Sequence, residues 1–243
     1  MKIYVQSRGL EKDYNWVTSK ENNSEEISDN IFIISRAINL IDAQDFSVVL
    51  LRLDDKLLLL VTGLLTQRQD INSRKIRNSI AWIGKNENEP QLRQLAALAL
   101  KNELEPKIDE AINNYSGRFE VNWNAIKQLI ADETIQSEFL SAEEAQGQIA
   151  INSKARKQEL AEKLMKYRLP NEEGALVIVT GIKSKEALEA DVIWRGLSSD
   201  SRIQESWQHI NKEVNYPPND NDHTSHIFCQ IIQLFMGANQ DSQ

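Results

Sequence analysis

The chain has 243 residues, a net charge of −8 and a sequence pI near 5.1. Its hydrophobic and charged fractions, 41% and 26%, are typical of a folded globular protein and exclude a disordered or fibrous one. The acidic balance argues against binding of nucleic acid or an anionic membrane through the field of the whole protein, so we expect neither as a partner.

The first predicted element is a strand at residues 2–7, which alternate and are rich in β-branched and aromatic side chains. Residues 9–30 are polar and are predicted to form a solvated loop. The Ser-Asp pair at 28–29 can cap a following helix, whose isoleucines recur every three or four residues up to Ile41. The run 31–34 also fits a strand, so two alternatives stay open here, with the helix favoured.

Residues 47–83 carry the clearest pattern in the chain. Two apolar runs, Ser47–Leu53 and Leu57–Thr62, flank a short turn at 54–56 and predict a hairpin. The second run is apolar on both faces, which indicates a central strand covered on each side. A third strand that alternates, Lys75–Ile83, completes a predicted antiparallel meander.

Between residues 91 and 168 the hydrophobic residues recur every three or four positions, which is the spacing typical of helices. The apolar stripes run over Leu92–Ala99, Ile108–Tyr115, Ile126–Ile130 and Leu160–Tyr167. Pro106 fits the first residue of the second helix better than a helix interior. This block is predicted to be a helical insertion or a subdomain.

The strand pattern returns over residues 175–197, in an unbroken apolar run at 175–181 and a shorter one at 191–197. Two C-terminal helices are predicted near 201–213 and 224–236. The sequence therefore predicts an α+β fold with a central, largely antiparallel sheet. We expect one domain over residues 1–243 that carries the helical insertion or subdomain at about 91–168.

The expected compartment is cytoplasmic. Cys229 is the only cysteine, which excludes an intrachain disulfide and a cysteine-rich zinc site and favours a reducing environment. The longest apolar run, around Leu57–Val61, is far shorter than the ~20 residues of a membrane helix. The N-terminal segment becomes charged too early for a signal peptide. These features together predict a soluble protein.

The chemical motifs each have a structural explanation. Residues 180–185 contain one glycine, too few for a phosphate-binding loop, and fit a strand-to-helix turn with a serine cap. His223 and His226 have a spacing that can share a metal on a helix, but no third ligand is indicated. Cys229 lies among apolar residues and fits a small core side chain. No cofactor is predicted, and an enzyme is not favoured.

The most distinctive cluster is basic and lies within residues 68–77 of this acidic chain. Its cations are Arg68, Arg74, Lys75 and Arg77. A single acid, Asp70, interrupts them. The planar fork of arginine suits carboxylates and phosphates, so this hairpin edge is the predicted site for a partner or ligand. The structural alternative is that the arginines pair with nearby acids, and Arg8, Arg36 and Arg195 join them only if folding brings them close.

Three functional hypotheses follow from these residues. The favoured one is a non-enzymatic interaction or regulatory protein that acts through a protein partner and uses the basic hairpin surface. The second is a sensor of a small anionic ligand or nucleotide, or a phosphoryl-group enzyme, with the same arginine cluster. The third is a metal-dependent hydrolase with a site at His223 and His226.

Overall fold

A computed structural model describes residues 1–19, 24–41, 44–130, 137–191 and 193–210. The strands are β1 (Lys2–Ser7), β2 (Asn15–Thr18), β3 (Ser47–Leu53), β4 (Lys56–Gln69), β5 (Lys75–Lys85), β6 (Ile112–Tyr115), β7 (Arg118–Val121), β8 (Gln148–Ile151), β9 (Gly174–Val179), β10 (Arg195–Ser198) and β11 (Gln208–His209). The helices are α1 (Ser24–Ile38), α2 (Glu89–Leu100), α3 (Leu104–Ala111), α4 (Trp123–Gln128), α5 (Lys154–Lys166) and α6 (Lys185–Ala190), with a 3₁₀ turn at Asn86–Asn88. This combination confirms the predicted α+β class.

Nine of these strands form one sheet in the order β11-β8-β10-β9-β3-β4-β5-β1-β2. The pairs from β9 through β3, β4, β5 and β1 to β2 are all antiparallel. At the other end, β10 runs parallel to both β8 and β9. The sheet is therefore largely antiparallel, as predicted, and carries a small parallel unit whose strands are connected through α5 and α6.

The predicted meander over residues 47–83 is confirmed. Strands β3 and β4 pair from Ser47 opposite Thr62 to Leu53 opposite Lys56, and β5 completes the meander. Residues 58–60 of β4 are wholly buried. Their side chains alternate between two core clusters, one on each face of the sheet, which explains why this strand is apolar on both sides.

The helices cover the two faces of the sheet. Leu92 of α2 and Leu160 of α5 belong to the core cluster on one face, whereas Ile34 of α1 and Leu188 of α6 belong to the cluster on the other. The helix alternative for residues 31–34 is thereby confirmed, although α1 begins at Ser24, before the predicted cap at 28–29, and ends at Ile38, before Ile41. None of the helices in the described segments combines the length and the apolar character needed to cross a membrane.

The block over residues 91–168 contains the helices predicted for it, but it is not wholly helical, because β8 within it is a strand of the nine-stranded sheet. A further difference from the sequence pattern lies at residues 112–115. These residues form β6, which pairs with β7 in a separate two-stranded hairpin. Ser116 and Gly117 both have positive φ angles, 47° and 77°, as a tight two-residue turn requires. Pro106 is the third residue of α3 rather than its first. The division of the chain into a domain and an insertion stays a prediction.

Two other predicted segments differ from the structure. Residues 9–30 include β2 and the start of α1 and are not one loop, because Trp16 is buried and β2 pairs with β1. Residues 201–210 form turns and β11 instead of a helix, since Gln208 and His209 pair with the outer edge of β8. The helix predicted at 224–236 lies outside the described residues.

Candidate functional site

All four predicted site residues lie in one two-stranded extension of the sheet, residues 63–78 of β4 and β5, here called the projecting hairpin. It extends past its neighbours because the pairing of β3 with β4 ends at Thr62 and the pairing of β1 with β5 ends at Ser79. The register of β4 shifts after Val61, at Gly63, which has a φ of 69°. A Cβ there would lie 2.2 Å from the carbonyl carbon of Asp45, so the bulge requires glycine.

The tip of the projecting hairpin is organised by the buried side chain of Asp70. Its Oδ1 accepts hydrogen bonds from the backbone N–H groups of Asn72 and Arg74, both at 2.9 Å. Its Oδ2 accepts from Arg74 Nε at 2.8 Å and lies 3.3 Å from Arg8 Nη1. Burial alone would raise the pKa of Asp70, but the hydrogen bonds and charge of Arg74 more than compensate and lower it. The carboxylate therefore stays charged and holds the turn.

Strand alternation divides the predicted cluster between two faces. Leu65, Gln67 and Gln69 are exposed on β4, and Leu65 and Gln69 lie opposite Arg77 and Lys75 of β5. These five residues form what we call the outer face. On the inner face, Leu64, Thr66, Ile76 and Asn78 are buried, and Arg68 lies among them. The outer face and the tip thus bring together Arg74, Lys75 and Arg77, whereas Arg68 is separated from them.

Two of the three cations on the outer face and the tip have local acidic partners. Arg74 pairs with Asp70, yet its side chain is 65% exposed. Arg77 Nη1 lies 3.0 Å from Asp45 Oδ1 and donates to the carbonyl of Gln44, and its side chain is 40% exposed. Lys75 is exposed and forms no ion pair with any acid in the described part of the chain. Local pairing therefore explains part of the cluster and leaves its donors open to solvent.

Arg68 lies on the inner face with neutral hydrogen-bond partners. Its Nη2 donates to Ser7 Oγ at 2.7 Å and to Asn78 Oδ1 at 2.8 Å, and its Nη1 donates to the carbonyl of Arg8 at 3.3 Å. Burial lowers the pKa of Arg68, while the more distant charge of Asp109 partly opposes this shift. An arginine remains protonated even so, which leaves a half-buried positive charge here.

The open edges of the projecting hairpin are satisfied by side chains far away in sequence. Glu105 Oε2 accepts from the backbone N–H of Leu65 at 2.8 Å, and Asp109 Oδ2 accepts from that of Gln67 at 3.0 Å. On the other strand, the N–H of Arg77 donates to the hydroxyl of Tyr14 at 3.1 Å. The basic pattern of residues 68–77 does not indicate these residues. The only local signal was the i, i+4 spacing of two acids on α3, which does not identify their target.

Arg8, Arg36 and Arg195, which could join the cluster only if folding brought them close, have different positions. Arg8 joins the projecting hairpin through its ion pair with Asp70. Arg195 is wholly buried in β10 and pairs with Glu144 at 2.7 Å. Arg36 lies on α1 with its guanidinium over the ring of Phe32. Only Arg8 therefore adds to the predicted cluster.

The segment after β9 has the geometry of a capped turn. Ser184 Oγ accepts from the N–H of Ala187 at 3.2 Å and caps α6, and Lys183 pairs with Asp191. These contacts match the strand-to-helix turn expected for residues 180–185.

The proposed metal ligands His223 and His226, together with Cys229, lie outside the described residues. Within the segments that the structure covers, no three His, Cys, Asp or Glu side chains are grouped so that they could hold a metal ion. Comparison of the chain with protein-family models, with curated proteins and with solved structures found no match, so the candidate site rests on its own geometry.

Proposed function

We propose that this protein is a non-enzymatic interaction or regulatory protein that binds an acidic protein partner through the outer face and tip of the projecting hairpin. The observation that carries the proposal is the exposure of three cations and two apolar side chains on one rigid hairpin. The chain that presents them has a net charge of −8. Each part of this surface contributes in a different way.

The charge of the surface favours an acidic partner. Arg8 and Arg74 share the single carboxylate of Asp70, and Lys75 has no acidic partner among the described residues. Both side chains of the ion pair between Arg77 and Asp45 are exposed, and exposed ion pairs contribute little to the stability of the fold. A partner carboxylate can therefore replace water at these donors with little competition from the protein itself.

The apolar side chains favour a protein over a nucleic acid. Ile71 at the tip is 71% exposed and Leu65 on the outer face is 42% exposed. Apolar and arginine side chains together are typical of the central contacts of protein interfaces. The acidic remainder of the chain repels an extended polyanion, whereas a small acidic patch on a protein contacts the hairpin alone.

The rigidity of the projecting hairpin supports its use for docking. The Asp70 turn, the carboxylates of α3 and the Tyr14 hydroxyl hold its backbone before any partner arrives. A surface that is already ordered loses less conformational entropy on binding.

The test uses a photoreactive benzoylphenylalanine at Gln67 of the full chain to capture the partner in cells that produce the protein. The same group at Glu87, which is exposed in the 3₁₀ turn, is the control position. A protein captured from position 67 alone is then purified, and its affinity is measured by titration calorimetry at two salt concentrations.

The charge-reversed variant Arg74→Glu/Lys75→Glu/Arg77→Glu should bind this purified partner at least about tenfold more weakly, because attraction becomes repulsion across the interface. Because the reversed charge at position 74 lies beside the buried carboxylate of Asp70, the variant should melt at a lower temperature than the wild type. Binding is therefore compared at a temperature at which circular dichroism shows both proteins to be folded. Lys85→Glu, at the other end of β5, should bind like the wild type. Equal binding by the triple variant, or capture only of nucleic acid or of a second copy of this chain, would show the proposal to be wrong.

A further inference from the structure

A cavity of about 440 Å³ lies between the hairpin of β6 and β7 and the first turn of α4. Its volume is within the range of sites that hold small molecules. Four of its lining residues are exposed, so a ligand can enter it from solvent. The lining residues are Asn113, Glu120, Val121, Asn122, Trp123 and Asn124.

Backbone pairing and a helix cap hold the walls of this cavity in place. Asn113 lies directly opposite Glu120 in the β6–β7 register, so both side chains lie on the same face of the hairpin. Asn122 Oδ1 accepts from the N–H of Ala125 at 3.2 Å and caps α4, while its own N–H donates to the carbonyl of Ala111 at 2.8 Å. The start of α4 is therefore fixed beside the strand pair before any ligand arrives.

Aromatic side chains lie on both sides of the pair formed by Asn113 and Glu120. Trp123 is half-buried: part of its side chain packs against the core cluster, and another part borders the cavity. Its indole N–H is accessible and has no hydrogen-bond partner in the described part of the chain. Toward the turn of the hairpin, Tyr115 lies on the same face as Asn113, two residues along β6, and is 67% exposed.

The polar groups of the cavity suit a ligand without charge. Among the described residues, no lysine or arginine lines the cavity, and Glu120 is the only ionised group that does. The side-chain amides of Asn113 and Asn124 are exposed and have no hydrogen-bond partner within the described segments. An amide both donates and accepts, as a hydroxyl group does, so these side chains can exchange hydrogen bonds with a ligand that carries several hydroxyls.

We propose that this cavity binds a neutral carbohydrate, with one sugar ring against Trp123 and its hydroxyls hydrogen-bonded to Asn113 and Asn124. A sugar ring has C–H groups on its faces and hydroxyls around its edge, which matches an aromatic side chain surrounded by amides. Tyr115 provides a contact for a second sugar. A nucleic acid also stacks on aromatic rings, but Glu120 and the net charge of −8 repel its phosphates. This site does not depend on the proposed docking surface.

The first test is binding of the full chain to an array of neutral glycans. One half of the array carries plant and bacterial oligosaccharides and the other half carries glycans released from glycoproteins, so the array also shows which source the site prefers. The glycan that binds best should give one site per chain in titration calorimetry and should raise the melting temperature in a saturable way. Binding of no neutral glycan, or of acidic glycans alone, would overturn the proposal.

The second test removes the two free amides. Asn113→Ala/Asn124→Ala should bind the selected glycan at least about tenfold more weakly, because the hydroxyls lose their partners, and should keep the melting temperature of the wild type, because neither side chain has a contact to lose. The control Asn39→Ala/Asn72→Ala removes two exposed asparagines elsewhere and should bind normally. Equal affinities of the two double variants would contradict the assignment of the site.

The third test identifies the aromatic contact by fluorescence. The glycan should change the tryptophan emission of the wild type, because it replaces water at the indole of Trp123. Trp123→Phe keeps an aromatic ring against the core cluster and should lose this change. An emission change of the same size in Trp123→Phe would place the glycan elsewhere and would show the proposal to be wrong.

Discussion

At the scale of single residues, the arginines differ in what their guanidinium groups contact. Arg195 is wholly buried, and its donors reach the carboxylate of Glu144, the carbonyls of Glu144 and Gln146, and the carbonyl of Trp194. Its guanidinium also lies 4.5 Å from the ring centre of Trp194. This set of contacts attaches the 141–146 turn to the parallel part of the sheet.

Substitution of Glu144 should reveal what this attachment contributes to stability. Glu144→Gln leaves the buried charge of Arg195 without a carboxylate and also removes the partner of Lys163. We expect the free energy of unfolding to fall by about 3 kcal/mol, the low end for a broken buried ion pair, because Glu144 is partly exposed. Urea denaturation measures this, and the exposed neighbour Glu143→Gln is the matched control. Equal unfolding midpoints for the two variants would show that Arg195 does not need the carboxylate.

The sequence identified the cations of the hairpin at this scale but not their roles. Their spacing indicated an excess of positive charge between residues 68 and 77. It could not show that Arg68 points to the inner face while Lys75 and Arg77 point outward, because that depends on the register shifts in β4. The partners of Arg68 lie as far as 61 residues away along the chain, at Ser7.

At the scale of elements, the projecting hairpin shows how an unpaired sheet edge is protected. Beyond Thr62, β4 has no neighbouring strand on the β3 side within the described segments, and unpaired backbone N–H groups invite pairing with another chain. Glu105 and Asp109 of α3 accept from two of these groups. The acids are spaced by one helical turn, so they reach N–H groups two residues apart on the strand.

Removal of these two carboxylates should loosen the edge locally. In Glu105→Ala/Asp109→Ala, the amide hydrogens of Leu65 and Gln67 should exchange roughly five to ten times faster, because each loses a hydrogen bond worth about 1 kcal/mol. Amides in the centre of β4, such as that of Leu59, should keep their rates. Amide exchange followed by NMR measures both groups. Unchanged rates at 65 and 67 would mean that the carboxylates do not protect the edge in solution.

Elements with a clear side-chain period could be predicted, and those defined by partners could not. The meander was evident because β3, β4 and β5 bury residues on the faces that the sequence pattern indicates. Strand β11 has two residues, too few for any period, and exists because it pairs with the edge of β8. Strand β6 continues the apolar spacing of α3 and changes to extended backbone only at Ile112.

At the scale of the whole molecule, several carboxylates have pKa values below their ordinary values of 3.8 for Asp and 4.5 for Glu. The pKa of Asp200 is lowered first by the side chain of Arg202 and then by the backbone N–H groups of Arg202 and Lys185. For Glu144, burial would raise the pKa, but Lys163 and Arg195 outweigh it and lower it. In the pH range around these ordinary pKa values, the folded state therefore binds protons less readily than the unfolded state.

The stability of the protein should consequently fall on acidification. A carboxylate with a lowered pKa contributes its full stabilisation above the ordinary pKa, and this contribution is lost as pH falls toward the pKa of the folded state. We expect a constant melting temperature above a pH of about 5.5 and a steady decrease below about 4.5. In Asp200→Asn the melting temperature should be lower at neutral pH and should approach that of the wild type as pH falls. If the difference in melting temperature between Asp200→Asn and the wild type stays constant from pH 7 to pH 3, the lowered pKa of Asp200 is not its cause.

The amino-acid sequence by itself determined the α+β class, the central position of β4 and the basic composition of residues 68–77. These properties are local, because the burial of each strand is visible in its own side chains. Only the tertiary structure decided which strands are neighbours, which face each cation occupies, and that Tyr14, Glu105 and Asp109 complete the hairpin. Those contacts join residues that are 40 or more positions apart, and no local pattern specifies the distance between them.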